Sequence, residues 1–223
     1  MLWSISTLSP GLPALPALPA LHPCPSTIGL DKIGSGGTAA AVYRYGVDSV
    51  LKEGRDGSEA LLLNECNILR RLEAAGVKNV ERCVDVCSSS SSISLVLTPY
   101  VAANEAVATL DGIYDEEKRR SLEQKLMRAV AESVAVAGVA NSDVQLLATP
   151  DSLLIIDWTE AKELNTPLTF LDAALVRSFA SEALGLMPSE DAAFARQALL
   201  DALSSLGSDP SSAARVLGEF ARD

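Results

Sequence analysis

The chain has few of the residues on which many catalytic and binding sites depend. Among its 223 residues are one histidine, four cysteines, and 18 lysines and arginines against 29 aspartates and glutamates. The single histidine, His22, lies near the N-terminus, which excludes Ser-His-Asp and Cys-His hydrolysis from a folded domain. The net charge of −11 disfavours a nucleic-acid surface, because such surfaces need clustered lysine and arginine. Chemistry based on carboxylates or on a metal remains.

The cysteines are too few and too dispersed to suggest a metal site. They stand at Cys24, Cys66, Cys83 and Cys87, with only one histidine in the whole chain to complete a ligand set. We therefore interpret them as reduced thiols. This interpretation predicts an intracellular, cytoplasmic protein.

The first 27 residues differ in composition from the rest of the chain. Residues 12–21 read LPALPALPAL, and each proline removes a backbone donor and disfavours helix. This repeat excludes a transmembrane helix, and the segment lacks the charged start and unbroken apolar core of a secretory signal. We predict a disordered or polyproline-like tail and no membrane partner, with organellar targeting left open.

From residue 28 onward the hydrophobic pattern predicts an α+β fold. Strands are expected first, with one helix among them, and the remainder is mostly helical apart from one hairpin. The predicted strands are 28–33, 40–45, 48–52, 80–87 and 93–100, and the predicted helices are 58–75, 116–136, 170–184, 190–205 and 211–221. We expect an antiparallel five-stranded part with one helix over 28–101 and a helical part over 102–223.

Three features of the first half occur in a particular order. Residues 33–43, IGSGGTAAAVY, are rich in glycine, so their backbone N–H groups can approach a phosphate closely. Lys52 follows in a predicted strand and Glu65 in the predicted helix. In this order they resemble the nucleotide-binding half of the protein-kinase-like superfamily.

The second half continues the resemblance. Residues 95–101, LVLTPYV, resemble the last strand and hinge of the small kinase lobe. Asp143 stands where the family has its catalytic aspartate, and Asp157 follows an apolar strand where the family has its metal-binding aspartate. The short helical part is similar to minimal atypical kinases, namely the RIO group, the small kinase of the KEOPS complex, and relatives of aminoglycoside phosphotransferases.

The resemblance implies a two-lobed kinase-like fold that binds ATP and Mg²⁺. It implies that Lys52, held by Glu65, contacts the phosphates, that Asp143 accepts the proton of an attacking hydroxyl, and that Asp157 holds magnesium. The nucleotide-binding residues that it implies are Gly34, Ser35, Gly36, Gly37, Lys52, Pro99, Tyr100 and Val101.

Departures from the family pattern leave two functions open. The position five residues after Asp143, where the family has a metal-binding asparagine, is Ala148, so Gln145 becomes the candidate second ligand. The two aspartates are also only 14 residues apart. One hypothesis is a phosphotransferase that acts on a hydroxyl acceptor, most simply a protein serine or threonine. The other is a catalytically impaired pseudokinase that serves as a protein-interaction module.

Overall fold

The computed structural model describes residues 21–88, 92–102, 106–207 and 211–223, and their fold is α+β as predicted. A six-stranded sheet has the order β1-β5-β6-β4-β3-β2, and most of its neighbouring strands are antiparallel. Its strands are β1 His22–Pro23, β2 Lys32–Gly36, β3 Ala39–Tyr45, β4 Ser49–Gly54, β5 Arg82–Ser88 and β6 Ile93–Thr98. The predicted tail over residues 1–27 lies outside the described residues for its first twenty positions.

The strand count differs from the prediction, which had five antiparallel strands. The sixth strand is β1, which pairs in parallel with β5, so the sheet is mixed. The first predicted strand also begins too early. Residues 27–30 form a turn, with the Leu30 N–H donating to the Thr27 carbonyl, and β2 starts only at Lys32.

One helix, α1 (Glu59–Ala74), packs against the sheet through an apolar face. Buried residues on α1 recur at helical spacing, which places Leu62, Cys66 and Leu69 against the sheet. The same spacing turns Glu65 inward, and its side chain is fully buried. Helix α1 therefore carries one carboxylate into the protein interior.

The C-terminal part is helical around two short antiparallel pairs. Its helices are α2 Glu116–Glu132, α3 Phe170–Gly185, α4 Ala192–Ser205 and α5 Ser212–Arg222, and a π-helical turn Ser133–Ala137 extends α2. The strands are β7 Val139–Ala140, β8 Gln145–Ala148, β9 Leu153–Ile156 and β10 Lys162–Glu163; β8 pairs with β9 and β7 with β10. The hairpin predicted between the two aspartates is thus confirmed.

The N-terminal sheet and the C-terminal helices share a continuous hydrophobic core. It runs from α1 and β5 through α2 to α5, and its largest fully buried side chains are Trp158 and Phe179. These two rings meet edge to face, with 6.0 Å between their centroids. Because Trp158 directly follows Asp157, this contact anchors the chain just beyond that aspartate.

All four cysteines form disulfides, so the interpretation as reduced thiols is wrong. Cys24 joins Cys87, and Cys66 joins Cys83, with Cα atoms 4.8 and 5.2 Å apart. An irregularity between Cys83 and Asp85 shifts the strand register, so that Cys83 faces α1 while Cys87 faces the opposite side of the sheet. Disulfides persist in oxidising compartments, which weighs against the predicted cytoplasmic location.

Within the described ranges, no helix is both long enough and apolar enough to cross a bilayer.

Candidate functional site

The site is centred on a lysine in the middle of the sheet. Lys52 lies on β4 between β3 and β6, opposite Val42 and Leu95. Because side chains alternate along a strand, Leu51 packs on one face of the sheet while Lys52 points to the other. Lys52 is only 7% exposed, so its charge needs partners.

Two carboxylates from distant parts of the chain supply these partners. Lys52 Nζ lies 2.8 and 2.9 Å from the two carboxylate oxygens of Glu65, and 3.0 Å from Asp157 Oδ1. Although burial alone lowers the pKa of the Lys52 ammonium, the charges of Glu65 and Asp157 outweigh it and raise that pKa. The lysine is therefore a permanent cation.

Asp157 follows β9 directly and turns toward the cavity described below. Its backbone has a φ of 56°, which is uncommon for a residue other than glycine. Its carboxylate accepts a hydrogen bond of 2.6 Å from the Thr159 hydroxyl besides the contact with Lys52. Burial opposes ionisation, yet Lys52 and Thr159 lower the pKa of Asp157, so this side chain is a carboxylate at neutral pH.

A third carboxyl group, Glu81, lies beside Asp157 and also lines the cavity described below. Its Oε1 accepts a hydrogen bond of 2.8 Å from the Asp157 backbone N–H. Burial, followed by the charge of Glu65, raises the pKa of Glu81 to about 8, so it is mostly protonated at neutral pH. Burial raises the pKa of Glu65 as well, although the charge of Lys52 opposes this. The cluster therefore holds one cation, Lys52, among three carboxyl groups.

A cavity of about 580 Å³ opens beside the cluster, between the sheet and the β8–β9 hairpin. Apolar side chains form much of its wall; the lining includes Ile33, Val42, Val50, Leu97, Leu147, Leu154 and Ile156. Lys52 is the one lysine or arginine among its described lining residues, against four carboxyl groups. The cavity thus combines an apolar slot with a single buried cation.

The glycine-rich segment forms one wall of this cavity. Gly34 and Gly36 lie in β2, while Gly37 begins the turn to β3, and all three line the cavity together with Ser35. Gly36 has φ 144° and Gly37 has φ 53°, conformations that side chains strongly disfavour. Apart from the glycine itself and its two chain neighbours, no heavy atom of the described residues lies within 4 Å of a Cβ added at either position, so the backbone borders open space.

The predicted hinge also lines the cavity, through Pro99, Tyr100 and Val101. Not all of its backbone groups are available to a ligand. The Tyr100 N–H donates to the Asp48 carbonyl at 3.2 Å, and proline has no N–H. A ligand at this edge would therefore use Val101 or the carbonyl groups.

Asp143 and Gln145 lie on the opposite side of the cavity. Gln145 Nε2 donates to Asp143 Oδ2 at 2.9 Å and approaches Asp157 Oδ2 at 3.4 Å, so one amide bridges the two aspartates. Ala148, in contrast, is buried in β8. A ligand that contacted both the Asp143 and the Asp157 carboxylates would therefore also lie next to the Gln145 amide.

A buried asparagine fixes the loop that carries Asp143. Asn141 is fully buried, and its Nδ2 donates to the carbonyls of Asp143 and Asp157 at 2.8 and 3.2 Å. Its Oδ1 accepts from the Asp143 N–H at 3.3 Å. Asn141 thereby ties the two aspartate backbones together across the hairpin.

The residues predicted from the sequence line this one cavity, except Glu65, which is fully buried and reaches the site through its contact with Lys52. Glu81 and the structural role of Asn141 were not predicted from the sequence. The available signal for Glu81 was a charged residue beside Val80 at the start of a predicted strand. The available signal for Asn141 was an amide side chain that directly follows an apolar segment, two residues before an aspartate.

Comparisons with known proteins do not extend this description. No protein-family model matches the chain, and no curated protein matches it.

Proposed function

We propose that this chain is a two-lobed, protein-kinase-like protein that binds ATP with magnesium and transfers the γ-phosphate to a hydroxyl group. The observation that carries the proposal is the position of Lys52, which contacts Glu65 and Asp157 at the edge of a cavity with a glycine-lined wall. In such phosphotransferases a lysine–glutamate pair positions the phosphates and an aspartate holds the metal. The apolar slot suits a flat base, and the glycine wall suits a phosphate chain.

The charges of the site support a requirement for magnesium. Lys52 faces the carboxylates of Glu65 and Asp157, so a triphosphate would meet too little positive charge from the protein alone. The described residues hold no cluster of three or more His, Cys, Asp or Glu side chains able to bind a metal by themselves. This donor set fits Mg²⁺, which is commonly held by one or two carboxylates together with substrate phosphates.

Asp157 would supply the carboxylate to magnesium, and Gln145 would supply the amide oxygen if its side chain turned over. The bound metal would neutralise charge on the phosphates. Lys52, kept protonated by its partners, would hold phosphate oxygens. These roles need no movement of β4 or α1, because Lys52 and Glu65 are already in contact.

Asp143 would accept the proton during transfer. The acceptor oxygen forms a bond to the γ-phosphorus while the bond to the β–γ bridging oxygen breaks, and ADP leaves with that electron pair. The hydroxyl proton passes to the Asp143 carboxylate. The contacts of Asn141 with the Asp143 backbone would keep this carboxylate in place and reduce the cost of orienting it.

A second function, a pseudokinase that acts as a protein-interaction module, is favoured by Gln145. Its Nε2 faces both aspartates, so a donor group stands where a second metal ligand is needed. In that case nucleotide could still bind, but transfer would be lost. A protein partner would then bind a surface of this protein that changes when nucleotide is bound.

Thermal denaturation with ATP, with and without magnesium, tests nucleotide binding. We expect ATP to raise the midpoint more with magnesium than without it, because ligands stabilise the state that they bind. Asp157→Asn should remove the magnesium-dependent part, whereas Asp201→Asn, an exposed change on α4, should not. No response to ATP in either condition would contradict the proposal.

Phosphotransfer separates the two candidates. With a mixed pool of protein and small-molecule hydroxyl acceptors, the enzyme transfers labelled γ-phosphate, and Asp143→Asn abolishes transfer while keeping nucleotide binding. Nucleotide binding without transfer in the unsubstituted protein would support the pseudokinase.

A further inference from the structure

A short junction joins the segment after α1 to strand β9, and it contains unusual backbone geometry. The Ile155 N–H donates to the Asn79 carbonyl at 2.8 Å, and the Glu81 N–H donates to the Ile155 carbonyl at 3.1 Å. Asn79 and Asp157 have φ of 61° and 56°, and they are the two non-glycine residues with positive φ in the described part of the chain. Left-handed backbone at two such residues within one junction indicates a conformation that the surroundings must maintain.

Glu81 provides one of those surroundings through its side chain. The residue is 6% exposed, and its carboxyl group reaches 2.8 Å from the Asp157 N–H. A buried carboxyl group is costly unless it forms hydrogen bonds. An apolar residue at this position would avoid that cost but would leave the Asp157 N–H without this acceptor. The contact thus gives a reason for a glutamate here.

The direction of the Asp157 side chain depends on the backbone that Glu81 contacts. With the N–H held toward Glu81, the carboxylate of Asp157 lies against Lys52 and Thr159 at 3.0 and 2.6 Å. If the N–H were released, Asp157 could return to the common negative φ, and its carboxylate would leave Lys52. Glu81 also lines the cavity, but its hydrogen bond is with the Asp157 backbone N–H, so it acts on the Asp157 carboxylate through that backbone.

We propose that Glu81 is a positioning residue of the nucleotide site: its carboxyl oxygen fixes Asp157 in the left-handed conformation that aims the Asp157 carboxylate at Lys52 and the cavity. The relevance to magnesium rests on the proposed function, whereas the effect on Asp157 does not. The interaction requires an acceptor oxygen at residue 81 and no charge.

The test compares two substitutions of similar volume. Glu81→Gln keeps an acceptor oxygen, whereas Glu81→Met removes it, and Glu73→Met, an exposed change on α1, serves as the control. Hydrogen exchange of the Asp157 amide, measured by NMR, is read beside that of the Ile155 amide, which donates to Asn79 instead. We expect Glu81→Met to raise the exchange rate of the Asp157 amide about tenfold relative to that of the Ile155 amide. Glu81→Gln and Glu73→Met should leave the Asp157 exchange rate near that of the unsubstituted protein.

Nucleotide titration supplies the second readout. In Glu81→Met the magnesium-dependent gain in ATP affinity should fall about tenfold, while affinity without magnesium stays nearly unchanged; Glu81→Gln should restore the gain. If the unsubstituted protein binds no nucleotide, the proposed function fails, and the Asp157 exchange still decides the role of Glu81.

Three exchange results would overturn the inference. The first is unchanged Asp157 exchange in Glu81→Met, and the second is an equal rise in Glu81→Met and Glu81→Gln. The third is an equal rise at Asp157 and Ile155, since Glu81 would then only stabilise the fold. If Glu81→Met does not fold, Glu81→Leu is measured in the same way.

Discussion

Among the described residues, two groups combine a cation with buried carboxylates, and only the first borders the cavity described above. In the first, Lys52 lies between Glu65 and Asp157, and the Asp157 side chain is 24% exposed. In the second, Arg119 on α2 lies 2.7 Å from Asp191 but 3.8 Å from Glu123, whose side chain is fully buried. The first group has one cation for at least two carboxylates, whereas the second has Arg119 and also Arg120, which lies 3.8 Å from Asp191. Buried charge alone therefore does not mark a site; what distinguishes the first group is that Lys52 and Asp157 themselves line the glycine-walled cavity.

The two groups also differ in which carboxyl group has a raised pKa. The first keeps Asp157 ionised by means of Lys52 and Thr159 and leaves the excess proton on Glu81. In the second, burial and then the charge of Asp191 raise the pKa of Glu123 to about 7. The first arrangement preserves an available carboxylate. The second is a structural contact between α2 and the turn before α4.

The largest expected effect comes from removing the cation of the first group. Lys52→Met leaves the fully buried Glu65 without its cation, which typically costs about 3–5 kcal/mol of unfolding free energy. Urea denaturation measures this loss. The control Lys32→Met changes an exposed lysine on β2 and should alter stability by less than about 0.5 kcal/mol. Equal effects of the two substitutions would contradict the importance of the buried pair.

The next effect concerns the disulfide that anchors α1 beside this group. Cys66 follows Glu65 directly, and its bond to Cys83 closes a loop with a sequence separation of 17. Replacing both cysteines by alanine should lower the unfolding free energy by about 3 kcal/mol through chain entropy. Denaturation without reductant measures it. Equal stability of the unsubstituted protein and this variant would show that the bond adds nothing.

The sequence was informative where local pattern decides the structure. Apolar residues at helical spacing predicted α1, because that spacing fixes a buried face, and the structure places Glu65 on this face. Alternation along β4 likewise separates Leu51 from Lys52. The α+β class and the hairpin between the two aspartates follow from the same kind of pattern.

The features that sequence reasoning missed depend on contacts between distant segments. Glu81 meets Asp157 only because residues 79–81 pair with β9, and no periodicity reveals that pairing. The cysteine pairing depends on the irregularity after Cys83, which reverses the facing of side chains along β5. Such a register change has no clear signal in a single sequence.

A smaller effect is expected in the second group, and it depends on pH. An unfolded glutamate loses its proton near pH 4.5, whereas Glu123 in the fold loses it near pH 7. Between these values the folded state binds more protons, so the unfolding free energy should fall as the pH rises. Glu123→Gln should remove about 1–2 kcal/mol of this decline, allowing for screening. Denaturation from pH 5 to 8 measures it.

The control for that experiment is Glu117→Gln, an exposed change on the same helix, which should leave the pH dependence unaltered. A Glu123→Gln profile identical to that of the unsubstituted protein would show that Glu123 is not the residue responsible.

The smallest effect is expected at an exposed ion pair that belongs to neither group. Lys118 and Asp151 lie 2.9 Å apart, with side chains 44% and 83% exposed. Water and salt screen such pairs, so Lys118→Met should leave the urea midpoint within experimental error. A loss comparable to that of Lys52→Met would undo the distinction between buried and exposed charge.

The most direct test of the central claim is calorimetric titration of ATP into the protein with and without magnesium. If Lys52 and Asp157 form a nucleotide site, ATP should bind more tightly with magnesium, and Asp157→Asn should lose that gain while keeping the magnesium-independent affinity. Absence of ATP binding in both conditions, or a magnesium-dependent gain that survives in Asp157→Asn, would contradict the account.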